Sequence, residues 1–380
     1  MKNQCVGFIS LGMLAVCSGC GGGGSTVTQI TPPASTYYAY VANQGTNTAG
    51  ADSGSVITYS MSPSTGALTA IGVPLALTGA YSITVDPAGK FAYVPIIGTP
   101  SGIQAYSINS GTGVLTAIGS PVATGHTPTA VVIDPTSKFA YASTSAGIWV
   151  YSIGSTGALT ALSGTPFSSA TAYDNEAMSA TGFLYAFDDT AGTLVPYAIN
   201  SSTGALTAGT GIPFASGALW SDTLAVNAAG SFVYVLAEDS GASVYTLSAF
   251  SANSSTGALT AAGSPAAVGG GADSVALTPS GKYAYVANGG DKNISAYSIN
   301  ASTGALTAIG SPVSTGASSE PWTVAVDPTG SYLYALNMGT NPSTVAGFAI
   351  NSSTGALTPL SGSPVSTAGT YPYAIAFATE

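Results

Sequence analysis

The sequence predicts an all-β fold, a seven-bladed β-propeller with four antiparallel strands in each blade. Three observations carry that expectation: one hexapeptide repeated seven times, one order of strand and turn signals in every repeat, and two chain ends that complete each other. The hexapeptides occupy 64–69, 111–116, 155–160, 202–207, 255–260, 302–307 and 353–358, and their glycines, Gly66 to Gly355, fall 44 to 53 residues apart. A period of this length belongs to ring-forming repeats of four strands.

Each element of the repeat has its own signature. A short apolar strand ends in a turn, as in Val324-Ala-Val before Asp327-Pro-Thr-Gly. An aromatic-rich alternating strand follows, as in 282–287, then a Gly/Asn/Asp loop. A third strand such as 294–299 runs into the Asn-Ala-Ser-Thr-Gly turn, and 305–309 forms the fourth. β-Branched and aromatic residues alternating between turn clusters are the strand signal. After residue 20 no stretch has the period of an amphipathic helix. The chain enters the repeat at strand two, Tyr37-Tyr-Ala-Tyr-Val, and leaves on a strand one, Tyr373-Ala-Ile-Ala-Phe. These ends are expected to pair and lock the ring, since an unpaired edge strand is a liability.

The N-terminus reads as an address. Lys2 precedes the apolar stretch 6–16, followed by Ser18-Gly19-Cys20 and a glycine run. This resembles a lipoprotein signal peptide over 1–20 with Cys20 as the acylated residue; Cys17 is the poorer candidate, and an ordinary secretory signal is the other reading. The stretch is short for a bilayer span. All three cysteines lie in this leader, so cleavage at Cys20 leaves no intramolecular disulfide. Residues 21–36, rich in Gly, Ser and Thr with Pro32-Pro33, read as a flexible linker, and 37–380 as the propeller. The expected location is extracytoplasmic and membrane-anchored, in the periplasm, at the outer membrane or on the cell surface.

Much that looks functional belongs to the repeat. Tyr40, Tyr93, Tyr141, Tyr185, Tyr234, Tyr285 and Tyr334 recur in strand two and read as packing between sheets. Asp86, Asp134 and Asp327, each before Pro, read as turn residues; the Asn-X-Ser/Thr sequences at Asn200, Asn253, Asn293, Asn300 and Asn351 meet a glycosylation pattern, but turn chemistry is the favoured reading.

The residues that do not repeat gather on one face. The loops between strands four and one, and between two and three, carry Asp52, Asp174, Glu176, Asp188, Asp189, Asp222, Glu238, Asp239, Asp273, Asp291 and Glu320 against Lys292 alone. Tyr81, Tyr173, Trp220, Trp322, Tyr371 and Tyr373 accompany them. Carboxylates beside aromatic rings suit a cation, a glycan or a cationic protein. The expected binding residues are Asp174, Glu176, Trp220, Asp222, Asp239, Glu320 and Trp322. Asp188-Asp189 and Glu238-Asp239 offer hard oxygen ligands to calcium, but no fixed calcium-loop motif is present, and no cofactor is expected. A net charge of −10 without a basic stripe disfavours nucleic acid.

Repeats of the form Asp-Pro-X-Gly-Lys-Phe-Ala-Tyr-Val followed by Ser-Thr-Gly-Ala-Leu-Thr resemble the lactonase-type seven-bladed propellers. That group includes bacterial 6-phosphogluconolactonases and secreted surface propellers with Tyr-Val-Thr-Asn repeats. The resemblance spans 37–380 and is specific for fold rather than activity. Its enzymatic members carry Pro-Arg-His opening an inner strand and Tyr-X-X-Asn-Glu beyond it. Here Tyr234-Val-Leu-Ala-Glu238 keeps the glutamate, whereas Ser221-Asp222-Thr223 stands where the arginine and histidine are due. The resemblance therefore implies Glu238 as a general base without its usual partners, and His126, the only histidine, lies in another blade. The chain contains no arginine, so an acidic mouth would repel a phosphorylated lactone while an uncharged one, with Glu238 or His126 activating water, stays open. The sequence thus favours a binding module at the acidic, aromatic face, with lactone hydrolysis as the alternative.

Overall fold

The computed structural model describes residues 37–45, 54–98, 100–167, 173–188, 191–213, 219–239, 244–316 and 318–379, with the side chains of 173–175, 219–222 and 239 left aside. The expected signal peptide, Cys20 and the linker lie outside the described residues, as do Asp52 and Asp189. Within 37–379 the chain forms seven antiparallel sheets of four strand positions each. Blade 1 runs, from outside in, Leu68–Ala76, Ser55–Met61, Tyr37–Asn43 and Pro372–Thr379. The two ends of the sequence therefore share a sheet, with Tyr40 opposite Ala376 and Val41 opposite Ile375. The closure expected from the chain ends is present. The inner strands of blades 2 to 7 are Thr84–Val85, Pro128–Ile133, Tyr173–Met178, Leu219–Val226, Ala272–Leu277 and Pro321–Val326. Each touches the next, around to blade 1, so they enclose one central axis.

Apolar packing lies between the blades rather than within them. Seven buried clusters occupy the seven seams, each drawn from the facing sides of two neighbouring sheets. Strand alternation explains this, since successive residues of a middle strand face opposite neighbours.

The hexapeptide has a specific task at these seams. Its glycine sits at φ between +69° and +83°, and the aromatic residue that opens strand two of the preceding blade lies flat against it. A Cβ there would stand 2.3 to 2.5 Å from ring atoms of Tyr38, Phe91, Phe139, Phe183, Phe232, Tyr283 or Tyr332. Backbone conformation and contact both require glycine. Two residues further along strand two, a buried tyrosine hydroxyl donates to the same glycine's carbonyl. Tyr40 reaches Gly113 (2.9 Å), Tyr93 Gly157 (3.1 Å), Tyr141 Gly204 (3.1 Å), Tyr234 Gly304 (3.1 Å), Tyr285 Gly355 (2.9 Å) and Tyr334 Gly66 (2.6 Å). The recurring tyrosines are packing residues, and their hydroxyls tie each blade to the next. Tyr185 is the exception: its hydroxyl is buried without a hydrogen-bond partner among the described residues. Burial pushes its phenol up to about 12.

The remaining repeated polar residues close turns. Asp86, Asp134 and Asp327 are buried and each accepts backbone N–H bonds from four and five residues ahead. Asn200, Asn253, Asn300 and Asn351 accept from the N–H groups two and three residues on, as Asx turns do. Asn293 departs from the turn reading: it opens the strand Asn293–Ile299, and its side-chain oxygen accepts from Asn288.

Candidate functional site

At the end of the ring where the inner strands begin, pairing with strand two slips by one residue in six blades. The irregularities lie at 128–130, 173–176, 221–223, 272–274, 321–323 and opposite Ala42–Asn43. A bulge leaves one residue unpaired and re-aims it, and such bulges recur beside active sites. The bulged positions are Thr129, Asp222, Asp273, Trp322 and Tyr373, and aligning the inner strands puts Asp174 at the same place in blade 4. Tyr81 holds the same place in blade 2, counted back from the Thr84–Tyr93 pair. One position per blade thus forms a circle at the mouth, and it is chemically divided. Blades 4, 5 and 6 supply Asp174, Asp222 and Asp273; blades 7, 1 and 2 supply Trp322, Tyr373 and Tyr81; blade 3 supplies Thr129.

The aromatic arc is in contact with itself. Tyr81 and Tyr373 stack with centroids 4.7 Å apart and planes 25° from parallel, and Trp322 meets Tyr373 edge-on at 5.8 Å. Trp322 is 40% exposed, and Tyr371 beside the cluster is 47% exposed. Tyr371 adopts a left-handed backbone at φ +53°. Burial pushes the Tyr373 phenol up, and the neighbouring Tyr371 adds to the shift. The rings offer a rigid apolar platform with hydroxyls at its margin.

The other expected residues fall around this circle. Glu238, half-buried, is cross-strand partner of Trp220 in blade 5, and Leu219 pairs with Asp239. The bulge places Asp222 just beyond them, so blade 5 brings Trp220, Asp222, Glu238 and Asp239 to one strand pair at the mouth. Glu320 is exposed one residue before the blade 7 inner strand, its carbonyl accepting from Met338 N–H at 2.9 Å. His126 is exposed two residues before the blade 3 inner strand, and its carbonyl accepts from the Thr124 hydroxyl at 2.6 Å. His126 and Glu238 therefore belong to different blades. Among the described residues, no three His, Cys, Asp or Glu side chains are grouped to hold a metal ion. Lys90, Lys138 and Lys282 flank the turns at the opposite end of the ring.

Glu176 corrects the sequence reading, which put it on the exposed acidic face. It is 7% exposed, and both carboxylate oxygens are buried without a partner among the described residues. The inner-strand register explains this. Glu176 pairs with Ala186, and the matching residues in the other blades are Ile83, Val131, Leu224, Val275, Val324 and Ile375, all buried. Glu176 occupies the apolar column of its strand and points into the seam with blade 3. Asp188, also counted with the acidic face, is likewise only 7% exposed and accepts from Ala191 N–H at 2.9 Å. Asp273 escaped selection because no motif marks it; aligning the inner strands puts it in the column of Asp174 and Asp222.

The family pattern of "Lactonase, 7-bladed beta-propeller" matches residues 39–169 and 269–371, together more than half of the chain. The chain belongs to this lactonase family. The interval between the two matched segments holds most of blades 4 and 5, hence Asp174, Glu176, Asp222, Glu238 and the unlatched Tyr185. No curated protein matches the chain in sequence. Among solved structures, a Bacteroides fragilis protein described as a "putative 6-phosphogluconolactonase" is similar at a TM-score of 0.75 and 21% identity, over 91% of this chain and 99% of that one. A Lactobacillus plantarum protein is similar at 0.70 and 18%, over 91% and 99%. The periplasmic gluconolactonase of Pseudomonas aeruginosa is similar at 0.70 and 17%, over 90% and 99%. At such identities the likeness is one of fold.

Proposed function

We propose that this lactonase-family propeller hydrolyses an uncharged lactone at the mouth of its ring. The observation that carries the reading is the divided circle of bulge positions, with aspartates in three consecutive blades and a contacting aromatic arc in three others. In the proposed reaction a water oxygen bonds to the lactone carbonyl carbon and gives its proton to a blade 5 carboxylate, Glu238 or Asp222. The ring C–O bond then breaks, and the departing alkoxide takes up a proton, leaving an open-chain hydroxy acid. General-base assistance of this kind contributes about 10²–10⁴-fold. Trp322, Tyr373 and Tyr81 would hold the apolar face of the substrate.

Charge limits the substrate. With no arginine in the chain and aspartates at three of the seven mouth positions, a phosphorylated lactone meets repulsion and no guanidinium clamp. The leader supports an extracytoplasmic, lipid-anchored placement through Cys20, which mass spectrometry of the mature N-terminus tests.

The test of function is initial-rate hydrolysis by the full chain on neutral and phosphorylated lactones, each against its uncatalysed rate. Turnover of a neutral lactone, lost by about 10²-fold or more in Asp222→Asn or Glu238→Gln, supports the reading. A second reading, capture of a glycan, protein or cation such as calcium without turnover, is favoured by the exposure of Trp322 and Tyr371. It predicts saturable binding by the same protein that fails to hydrolyse any lactone.

A further inference from the structure

The seam between blades 3 and 4 differs from the other six at its centre. In each seam the residue two beyond the latch tyrosine of one blade faces the middle of the next inner strand. Five seams bring Ala42 with Ile83, Phe187 with Leu224, Leu236 with Val275, Ala287 with Val324 and Leu336 with Ile375 into single apolar clusters. The sixth sets Pro95 beside Val131, both buried. The seventh pair is Ser143 and Glu176. The Ser143 hydroxyl and both Glu176 oxygens are buried without partners among the described residues.

Among the described residues, no cation lies on the strands that pack against this carboxyl. Four strands pack against the blade 4 inner strand. The blade 3 inner strand Pro128–Ile133 carries no titratable side chain, and its second strand Phe139–Thr144 carries only Tyr141. The blade 4 second strand Phe183–Asp188 carries Tyr185 and Asp188, and the blade 5 inner strand Leu219–Val226 carries Asp222. On its own strand Glu176 has Tyr173 and Asp174. His126 and Lys138 lie beyond the ends of the two blade 3 strands. Every titratable neighbour on these strands is an acid or a phenol, so each can only oppose ionisation. Burial accordingly holds the Glu176 carboxyl well above its ordinary value, and the nearby Ser143 opposes that shift.

We propose that Glu176 makes the blade 3–blade 4 seam a proton-dependent weak point, closed while the carboxyl is neutral and loosened when it ionises. An unfolded glutamate ionises near 4.5, whereas the folded one holds its proton to higher pH. The folded chain then binds more protons than the unfolded chain, and stability falls as pH rises from about 4.5 toward the folded value. Acid closes this seam. Two residues upstream lies Asp174, so loosening displaces the blade 4 side of the mouth.

The experiment compares thermal unfolding of the full chain with Glu176→Val, the residue other blades use, and Glu176→Gln at pH 5 and pH 8. Amide exchange of 173–178 and 321–326 is followed alongside. The advantage of Glu176→Val over the parent should grow by several degrees between pH 5 and pH 8. At pH 8 the parent should exchange faster than Glu176→Gln at 173–178 but equally at 321–326. An advantage that does not change with pH, or a parent more stable than both variants at pH 8, would overturn the proposal. The Gln variant keeps the test open if Val disturbs folding, and no part of it depends on catalytic activity.

Discussion

The rim and the mouth of the ring obey opposite rules. At the rim, where the blades meet, an aromatic ring on a glycine recurs at all seven seams and a tyrosine hydroxyl on that glycine's carbonyl at six. At the mouth one structurally equivalent position holds Thr129, Asp174, Asp222, Asp273, Trp322, Tyr373 and Tyr81. Repetition marks the residues that hold sheets together, because every seam poses the same packing problem. Variation at a fixed backbone position marks residues answering to something outside the fold.

Breaking the rim should have the largest effect. Gly304→Val places a Cβ 2.4 Å from the Phe232 ring on a backbone at φ +72°. Left-handed strain and overpacking together should remove about 2–4 kcal/mol, read from the denaturant midpoint. An unchanged midpoint would show that the latch glycine is replaceable. At the mouth, Trp322→Ala should leave that midpoint within about 0.5 kcal/mol. It should weaken substrate binding by about 1 kcal/mol, roughly a fivefold rise in KM. Equal loss of stability and activity would instead make Trp322 a packing residue.

The latch tyrosines allow a finer comparison within the rim itself. Tyr334→Phe removes a buried 2.6 Å bond to Gly66, at the seam that closes the ring, and should cost about 1 kcal/mol. Tyr185→Phe removes an unpaired hydroxyl and should be neutral or slightly stabilising. Equal losses in the two variants would show that Tyr185 has a partner in solution.

Most of the fold could be read from the chain. The hexapeptide count gave the blades, and the incomplete repeats at Tyr37 and Tyr373 gave the closure, because both follow from local pattern. The site was legible only in part. The non-repeating loop acids and aromatics include Asp174, Asp222 and Trp322, which share the bulge position. Charge places Glu176 on the surface with them, because charge alone does not say which side of a strand a residue takes. The aligned repeats do: Glu176 falls in the column of Val275 and Val324, and Asp174, two residues earlier across the bulge, in that of Asp273 and Trp322. The stack of Tyr81 on Tyr373 joins the second and last segments of the ring, a proximity that only closure creates.

Whether the acidic arc performs chemistry on a neutral ring is decided by one measurement. Initial rates on uncharged sugar lactones would be recorded for the full chain and for the Asp222→Asn/Glu238→Gln double variant, with thermal unfolding of both as the control for folding. Turnover well above the uncatalysed rate is expected in the parent, with its loss in an equally stable variant. Parent and variant rates that both match the uncatalysed reaction would contradict it and leave the mouth as a surface that binds without reacting.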